Sequence, residues 1–334
     1  MQYFETIIVG GGPAGSSCAW GLKKQGKEVL ILEKQIFPRV KLCAGWITEK
    51  VLDDLEVKLA DYPHPILEMK VKSHLPLLPF SLPCFPTRWI NYSIRRVEFD
   101  DWLLKRSGAP VVQHHVKKIR KEADVYIIDN QYSCKFLVGA GGTMCPVRRT
   151  FFPDIRNKDD QIATLEYEFE YPARDKQCHL FFFFRSLRGY AWYVPKGDGY
   201  VNIGLGGMSS FFKRSGTNIH SHYQQFLADL VEIKLLDASV KEQIKDKGHP
   251  YYLFSYEGEF KKDQCFLIGD SAGLASIDLG EGIGPSIESG MLAAEEISGL
   301  GVYLKENTSR FSLGGILHWF FEGLSPGAKS AVQE

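Results

Sequence analysis

The 334-residue chain contains no continuous apolar stretch of about 18 residues, so no segment is a candidate for a bilayer-spanning helix. Net charge is absent too: 40 Lys and Arg balance 40 Asp and Glu, and the pI is about 7.1. Without a basic field there is no long-range attraction for nucleic acid, and none is expected as a partner. The seven cysteines stand apart at 18, 43, 84, 134, 145, 178 and 265, with no CxxC pair and no His/Cys cluster at zinc spacing. A metal site is therefore not expected, and an odd count makes a poor disulfide framework. Scattered thiols suit a reducing compartment, so a cytoplasmic location is the expectation, with membrane contact at most peripheral. What the chain has instead is glycine, in two dense stretches, one near each end.

The first lies within residues 3–34, YFETIIVGGGPAGSSCAWGLKKQGKEVLILEK. Residues 6–9 are apolar and β-branched, as for an inner parallel strand. Gly10, Gly12 and Gly15 follow at GxGxxG spacing. An amphipathic helix then runs to about Gln25, and a second strand over 28–32 ends at Glu33. Gly10 permits the sharp turn, Gly12 lets backbone approach a pyrophosphate, and Gly15 brings helix against sheet. The phosphates would sit on the N–H groups opening the helix, with Pro13 and Ala14 in its first turn. Glu33 would accept from a ribose diol, with Lys34 beside it. The motif alone leaves FAD and NAD(P) both open.

Residues 37–48, FPRVKLCAGWIT, read as a loop in which Arg39 and Lys41 could meet a phosphate or carboxylate. Cys43 is followed by Ala44 and Gly45, small enough for backbone to approach a flat group, or simply for a tight loop around a buried thiol. Six prolines between 61 and 90 mark an excursion with short edge strands. Asp100 or Asp101 is expected to open a helix that ends at Gly108, ahead of a strand at Val111 and Val112. Residues 125–142 suggest a hairpin turning at Asp129 and Asn130. Over 161–171, Ala163, Leu165, Tyr167, Phe169 and Tyr171 alternate with Thr164, Glu166, Glu168 and Glu170, the pattern of a half-buried antiparallel strand. Residues 178–206 continue that sheet, with Tyr190, Trp192 and Tyr193 bracketed by Gly189 and Pro195. Helices are expected around 219–231 and 235–245.

The second glycine-rich stretch is CFLIGDSAGLASIDLGEGIGPSIESG, residues 265–290. A short buried-strand pattern ends in Gly269 and Asp270, and a helix should start near Pro285 or Ser286. Asp270 could accept from a ribose or ribitol hydroxyl. Two separated glycine turns, each leading into a helix, suit a long cofactor with a pyrophosphate in its middle and a ring at its far end.

On these motifs the chain resembles the FAD-dependent oxidoreductases of the aromatic-hydroxylase fold, and within them the geranylgeranyl reductase family. Gly10 to Gly15 with Glu33 look like the ADP-binding motif. Arg95, ahead of Phe99, Asp100 and Leu103, matches the family's cofactor-binding arginine, with Arg96 adjacent. Gly269, Asp270, Gly280, Gly282 and Ile283 look like the segment that holds ribityl, pyrophosphate and flavin ring. Cys43, Ala44 and Gly45 resemble the Cys-Gly-Gly-type loop beside the flavin. Tyr190, Trp192 and Pro195 resemble the Tyr-x-Trp-x-Phe-Pro substrate pattern, near which Trp46 is also placed. The resemblance implies an α/β fold: an FAD-binding Rossmann-like βαβ lobe of the glutathione-reductase type, and a second, mainly antiparallel substrate lobe. The first lobe is expected over 1–60, 88–155 and 256–300, the second over 61–87 and 156–255, with 301–334 as a C-terminal cap or tail.

The activity implied is reduction of carbon–carbon double bonds in an isoprenoid or other hydrophobic substrate, by hydride from reduced flavin. Cys43 is the candidate residue at the reacting edge, as proton source or as packing element. NAD(P)H, ferredoxin or another donor protein would supply electrons. Gly139-Ala140-Gly141-Gly142 lacks the acid that hydroxylases of this fold carry, which leaves pyridine-nucleotide use open. A flavin monooxygenase or a halogenase, with Lys70 or Lys72 as its lysine, is one alternative. A noncatalytic FAD-bound electron carrier or scaffold is another. Oligomeric state is not legible.

Overall fold

Apolar runs without polar alternation need cover on both faces, and the chain supplies it. The computed structural model describes residues 1–75, 90–153, 161–277 and 279–308, with the backbone of 82–83. Strand Gln2–Val9 lies parallel to Val29–Glu33 on one side and Tyr132–Gly139 on the other. Cys265–Leu267 extends this sheet beyond Tyr132–Gly139, and Val111–Gln113 extends it beyond Val29–Glu33, both in parallel. Among the described residues eight strands take part, including the hairpin Ile119–Glu122 and Val125–Ile128. Asp129 and Asn130 both have positive φ, as the expected tight turn requires.

Helices Pro13–Lys24 and Ile283–Ile297 pack against one another on one face of this sheet. Small residues make that possible: a Cβ on Gly21 would stand 2.8 Å from the Ala294 Cβ, and one on Gly290 would run into the Ala14 carbonyl. The contact brings the two glycine-rich stretches, far apart in sequence, to the C-terminal ends of the parallel strands.

Among the described residues the second sheet has seven strands, in the order Lys247–Tyr252, Gln161–Glu170, Tyr200–Met208, Gly189–Pro195, Cys178–Phe182, Val71–His74 and Leu82–Pro83. Its pairings are antiparallel except between Val71–His74 and Cys178–Phe182. Leu165, Tyr193, Ile203 and Leu205 bury one face beneath helix Ile219–Glu232, which contributes Tyr223, Phe226, Leu227 and Leu230. Each such side chain contributes roughly 1.5–3 kcal/mol. The strands of a three-stranded sheet, Trp46–Thr48, Asn91–Ser93 and Leu67–Glu68, are interleaved along the chain with those of the two larger ones.

Two local expectations are corrected. The helix placed at Asp100 begins at Arg96, because the Asp100 carboxylate pairs with arginines instead of capping a helix. The helix expected over 235–245 is only the single turn Ala238–Lys241. No helix among the described residues is long and apolar enough to cross a membrane. Of the expected C-terminal cap, the part beyond Thr308 lies outside the described residues.

Candidate functional site

A cavity of about 470 Å³ runs from the first glycine turn to the cavity-side face of the seven-stranded sheet. At the nucleotide end, Gly10 has φ +114°, and a Cβ there would strike the Ala140 carbonyl. Gly15 sits so close to the Gly10 carbonyl that it packs helix on strand and does not reach the cavity. Gly12 caps helix Pro13–Lys24, whose opening N–H groups receive no side-chain cap and no acid in the first turn. Glu33 is locked in the wall: its Oε2 accepts from the Gly11 N–H at 2.7 Å and its Oε1 from the Gln35 N–H at 2.9 Å. Opposite, the buried Thr143 Oγ1 has no partner among the described residues. An uncapped helix start, an anchored carboxylate and an unpaired hydroxyl around one groove fit the pyrophosphate and ribose of a dinucleotide.

At the waist of the cavity a loop and a helix meet. The Arg96 guanidinium pairs with Asp100 through Nε and Nη2, at 2.6 and 2.9 Å, and Arg39 approaches the same carboxylate at 3.3 Å. Burial opposes the charge on Arg96, but Asp100 and a hydrogen bond to Cys43 outweigh it and raise its pKa. Gly45, at φ +64°, lets the loop press against the Ile94 carbonyl, and a Cβ there would collide with it. Beneath it, the buried Lys196 ammonium donates to the carbonyls of Ala44 and, at 2.9 Å, Ile94. Burial lowers the Lys196 pKa.

The sheet end is polar where water would be expected. Thr164 and Glu166 turn from Gln161–Glu170 into the cavity, and Glu166 is only 3% exposed. Asn202 Nδ2 donates to Glu166 Oε2 at 3.1 Å and to the Cys43 carbonyl at 3.3 Å. Its Oδ1 accepts the Trp192 indole N–H at 2.7 Å. Burial pushes the Glu166 carboxyl up to about 7, against the opposing hydrogen bond from Asn202 and the charges of Lys41 and Lys196. Lys41 Nζ lies 2.5 Å from His249 Nε2, and His249 hydrogen-bonds Asp270. Burial works to raise the Asp270 pKa, yet His249, Lys41 and Arg96 hold it below the usual carboxylate range. Tyr251 and Tyr190 complete the wall, with the Tyr190 hydroxyl donating to the Leu279 carbonyl.

The cavity thus gathers most of the residues singled out in the sequence. Gly10, Gly12, Pro13, Ala14, Glu33 and Lys34 line one end; Cys43, Ala44, Trp46, Tyr190 and Trp192 line the other. Asp270, Gly280, Gly282 and Ile283 close the wall between them. Gly45, Pro195 and Gly269 stand behind the lining: the Pro195 carbonyl accepts from Ser93 Oγ, and the Gly269 N–H donates to Ser289 Oγ. Arg95 is not in the cavity. Its guanidinium pairs with Glu98 and Glu168 and stacks on Tyr200, while the next residue, Arg96, faces inward. Strand alternation turns Tyr193 the other way, into the helix-covered core. Lys70 and Lys72 do not line the cavity. Arg96, Glu166, His249 and Tyr251 are cavity residues that the sequence did not single out as site residues. The even positions of 161–171 carried the one available signal, a row of acids on a strand.

Residues 8–64 match the family model described as an NAD(P)-binding Rossmann-like domain, and residues 160–243 match that of the geranylgeranyl reductase catalytic domain. An uncharacterised protein of Methanosarcina barkeri is 33% identical over 316 residues, covering 89% of this chain and 75% of the relative. Digeranylgeranylglycerophospholipid reductase 3 of Methanosphaera stadtmanae is 27% identical over 317 residues, covering 88% and 77%. The crystal structure of a geranylgeranyl bacteriochlorophyll reductase-like protein from Thermoplasma acidophilum shares the fold, with a TM-score of 0.74 at 21% identity, over 97% of this chain and 83% of that one. With the dinucleotide groove and the sheet wall forming one cavity, the chain belongs to the geranylgeranyl reductase family of flavin-dependent oxidoreductases.

Proposed function

We propose that this protein is an FAD-dependent reductase that saturates carbon–carbon double bonds of an isoprenoid chain. The observation that carries this reading is the continuity of the dinucleotide groove with the wall of Trp46, Tyr190 and Trp192 in one cavity. Glu33 would hold the adenosine ribose, and the helix start at Gly12, Pro13 and Ala14 the pyrophosphate. Asp270, its charge kept by His249 and Lys41, would take the ribityl hydroxyls. Cys43 and Ala44 on one side, and Gly280, Gly282 and Ile283 on the other, would flank the ring. Once bound and reduced by an external donor, FAD supplies hydride.

The chain's own residues supply placement and dryness. Trp46 is oriented by its indole N–H on Asn91 Oδ1 at 3.0 Å, and Trp192 by Asn202, so both rings are fixed before substrate arrives. Their flat apolar faces suit a prenyl chain and exclude water from the reacting carbons. Lys34, exposed at the mouth beside Glu33, adds positive charge for a cofactor phosphate. The test is stoichiometry: the purified protein, reconstituted with FAD, should retain about one FAD per chain through gel filtration and release it intact on denaturation. Failure to retain any flavin would overturn the reading.

A further inference from the structure

Alkene reduction consumes a proton as well as a hydride, and the cavity wall contains one carboxyl built to hold a proton. Glu166 stands in mid-strand, on the cavity face of a sheet whose other face is packed core. Among the described residues Asn202 is the one hydrogen-bond donor to it. That donor is itself fixed, by the Trp192 indole and by the carbonyl of Cys43. The carboxyl is therefore tied by position to two residues expected beside substrate and flavin, the aromatic wall and the Cys43 loop.

Resting on the reading above, we propose that Glu166, in its protonated form, is the catalytic acid of the reduction. The alkene π pair forms a C–H bond with the Glu166 proton as the O–H bond breaks and leaves its electrons on the carboxylate. The adjacent carbon receives hydride, the donor being the reduced flavin, and solvent returns the proton to Glu166. One double bond thus takes up one hydride and one proton, and charge balances. The Cys43 thiol, hydrogen-bonded to Arg96, shapes the wall.

The surroundings suit an acid that is part protonated at neutral pH. Burial favours the neutral form and outweighs Lys41, from the loop after the second strand, and Lys196, at the end of Gly189–Pro195. Glu168, on the same strand, adds to the upward push. Tyr251, on the neighbouring strand, and Tyr223, behind the sheet in the helix-covered core, are themselves held neutral by burial. Lys247, opposite Glu166 in the strand pairing, is exposed.

The experiment has two readouts. In FAD-free protein labelled with ¹³C at the glutamate carboxyls, wild type should show one resonance titrating with a midpoint near 7, and Glu166→Gln should lack it. In anaerobic single turnovers with a polyprenyl alkene, Glu166→Gln should slow substrate reduction by about 10²-fold or more, while Glu166→Asp keeps part of the rate. A Glu166→Gln protein that reduces the alkene at the wild-type rate, or no resonance titrating near neutrality, would overturn the proposal alone. A wild type inert to every isoprenoid alkene would instead bring down the functional reading and the proposal with it.

Discussion

The guanidinium of Arg96, in the cavity lining, is clamped by the carboxylate of Asp100 one turn along the same helix, and both side chains are buried. Arg39 leans on the same carboxylate from the loop that carries Cys43. One anion therefore offsets two cations and pins loop to helix. Removing it leaves buried positive charge without a partner, which costs about 3–5 kcal/mol. Asp100→Asn should lower the unfolding free energy by that order in urea titration, and an unchanged midpoint would show that Asp100 does not carry the pair.

Glu33 has both oxygens anchored by backbone N–H groups, so its carboxylate is held in one orientation. Glu33→Gln should weaken FAD binding about tenfold, the loss of one charge-assisted hydrogen bond to the ribose. FMN, which has no adenosine ribose, should bind wild type and variant alike. Fluorescence titration with the two flavins separates these outcomes.

Burial of Glu166 also has a thermodynamic signature. A carboxyl whose pKa rises from 4.5 in the unfolded chain to about 7 on folding binds more protons in the native state. Its contribution is fully present below pH 4.5 and is lost as pH rises through about 7. The swing is roughly 3 kcal/mol at 1.36 kcal/mol per unit. Glu166→Gln should therefore be more stable than wild type at pH 8 to 9 and should gain nothing at pH 4, as read by denaturant melts at each pH.

Trp192 holds Asn202, and Asn202 holds down the Glu166 pKa. Trp192→Phe keeps the aromatic bulk and removes the indole donor. The midpoint of Glu166 should move above its wild-type value, and alkene turnover should fall several-fold with FAD affinity unchanged. An unshifted midpoint would mean that Asn202 keeps its orientation without the indole.

Local patterns carried much of this architecture. The glycine spacing after the first strand marked a dinucleotide turn because Gly10 and Gly15 answer local steric demands, and Gly12 opens the helix at the groove between them. The aromatic pair Tyr190 and Trp192 was legible because strand alternation sends residues two apart to one face, the rule that also turns Tyr193 away. Other features depended on how the elements pack. Whether Arg95 or Arg96 enters the cavity depends on where the helix starts, and a rotation of one residue turns the side chain by about 100°. Glu166 resembled a solvent-facing acid because alternation reports that a face is polar, not what covers it. The nucleotide lobe covers part of that face, so Glu166 lines the cavity while Glu168 pairs with Arg95 outside it.

Mixing FAD-reconstituted, prereduced protein with a polyprenyl alkene in the absence of oxygen tests the central claim most directly. The account predicts return of the oxidised flavin spectrum at a rate set by alkene concentration, together with a product that has gained one H₂ per double bond. The fully saturated analogue should bind without reoxidising the flavin. Reduced flavin that persists unchanged through exposure to a series of isoprenoid alkenes, in protein shown to bind them, would contradict it.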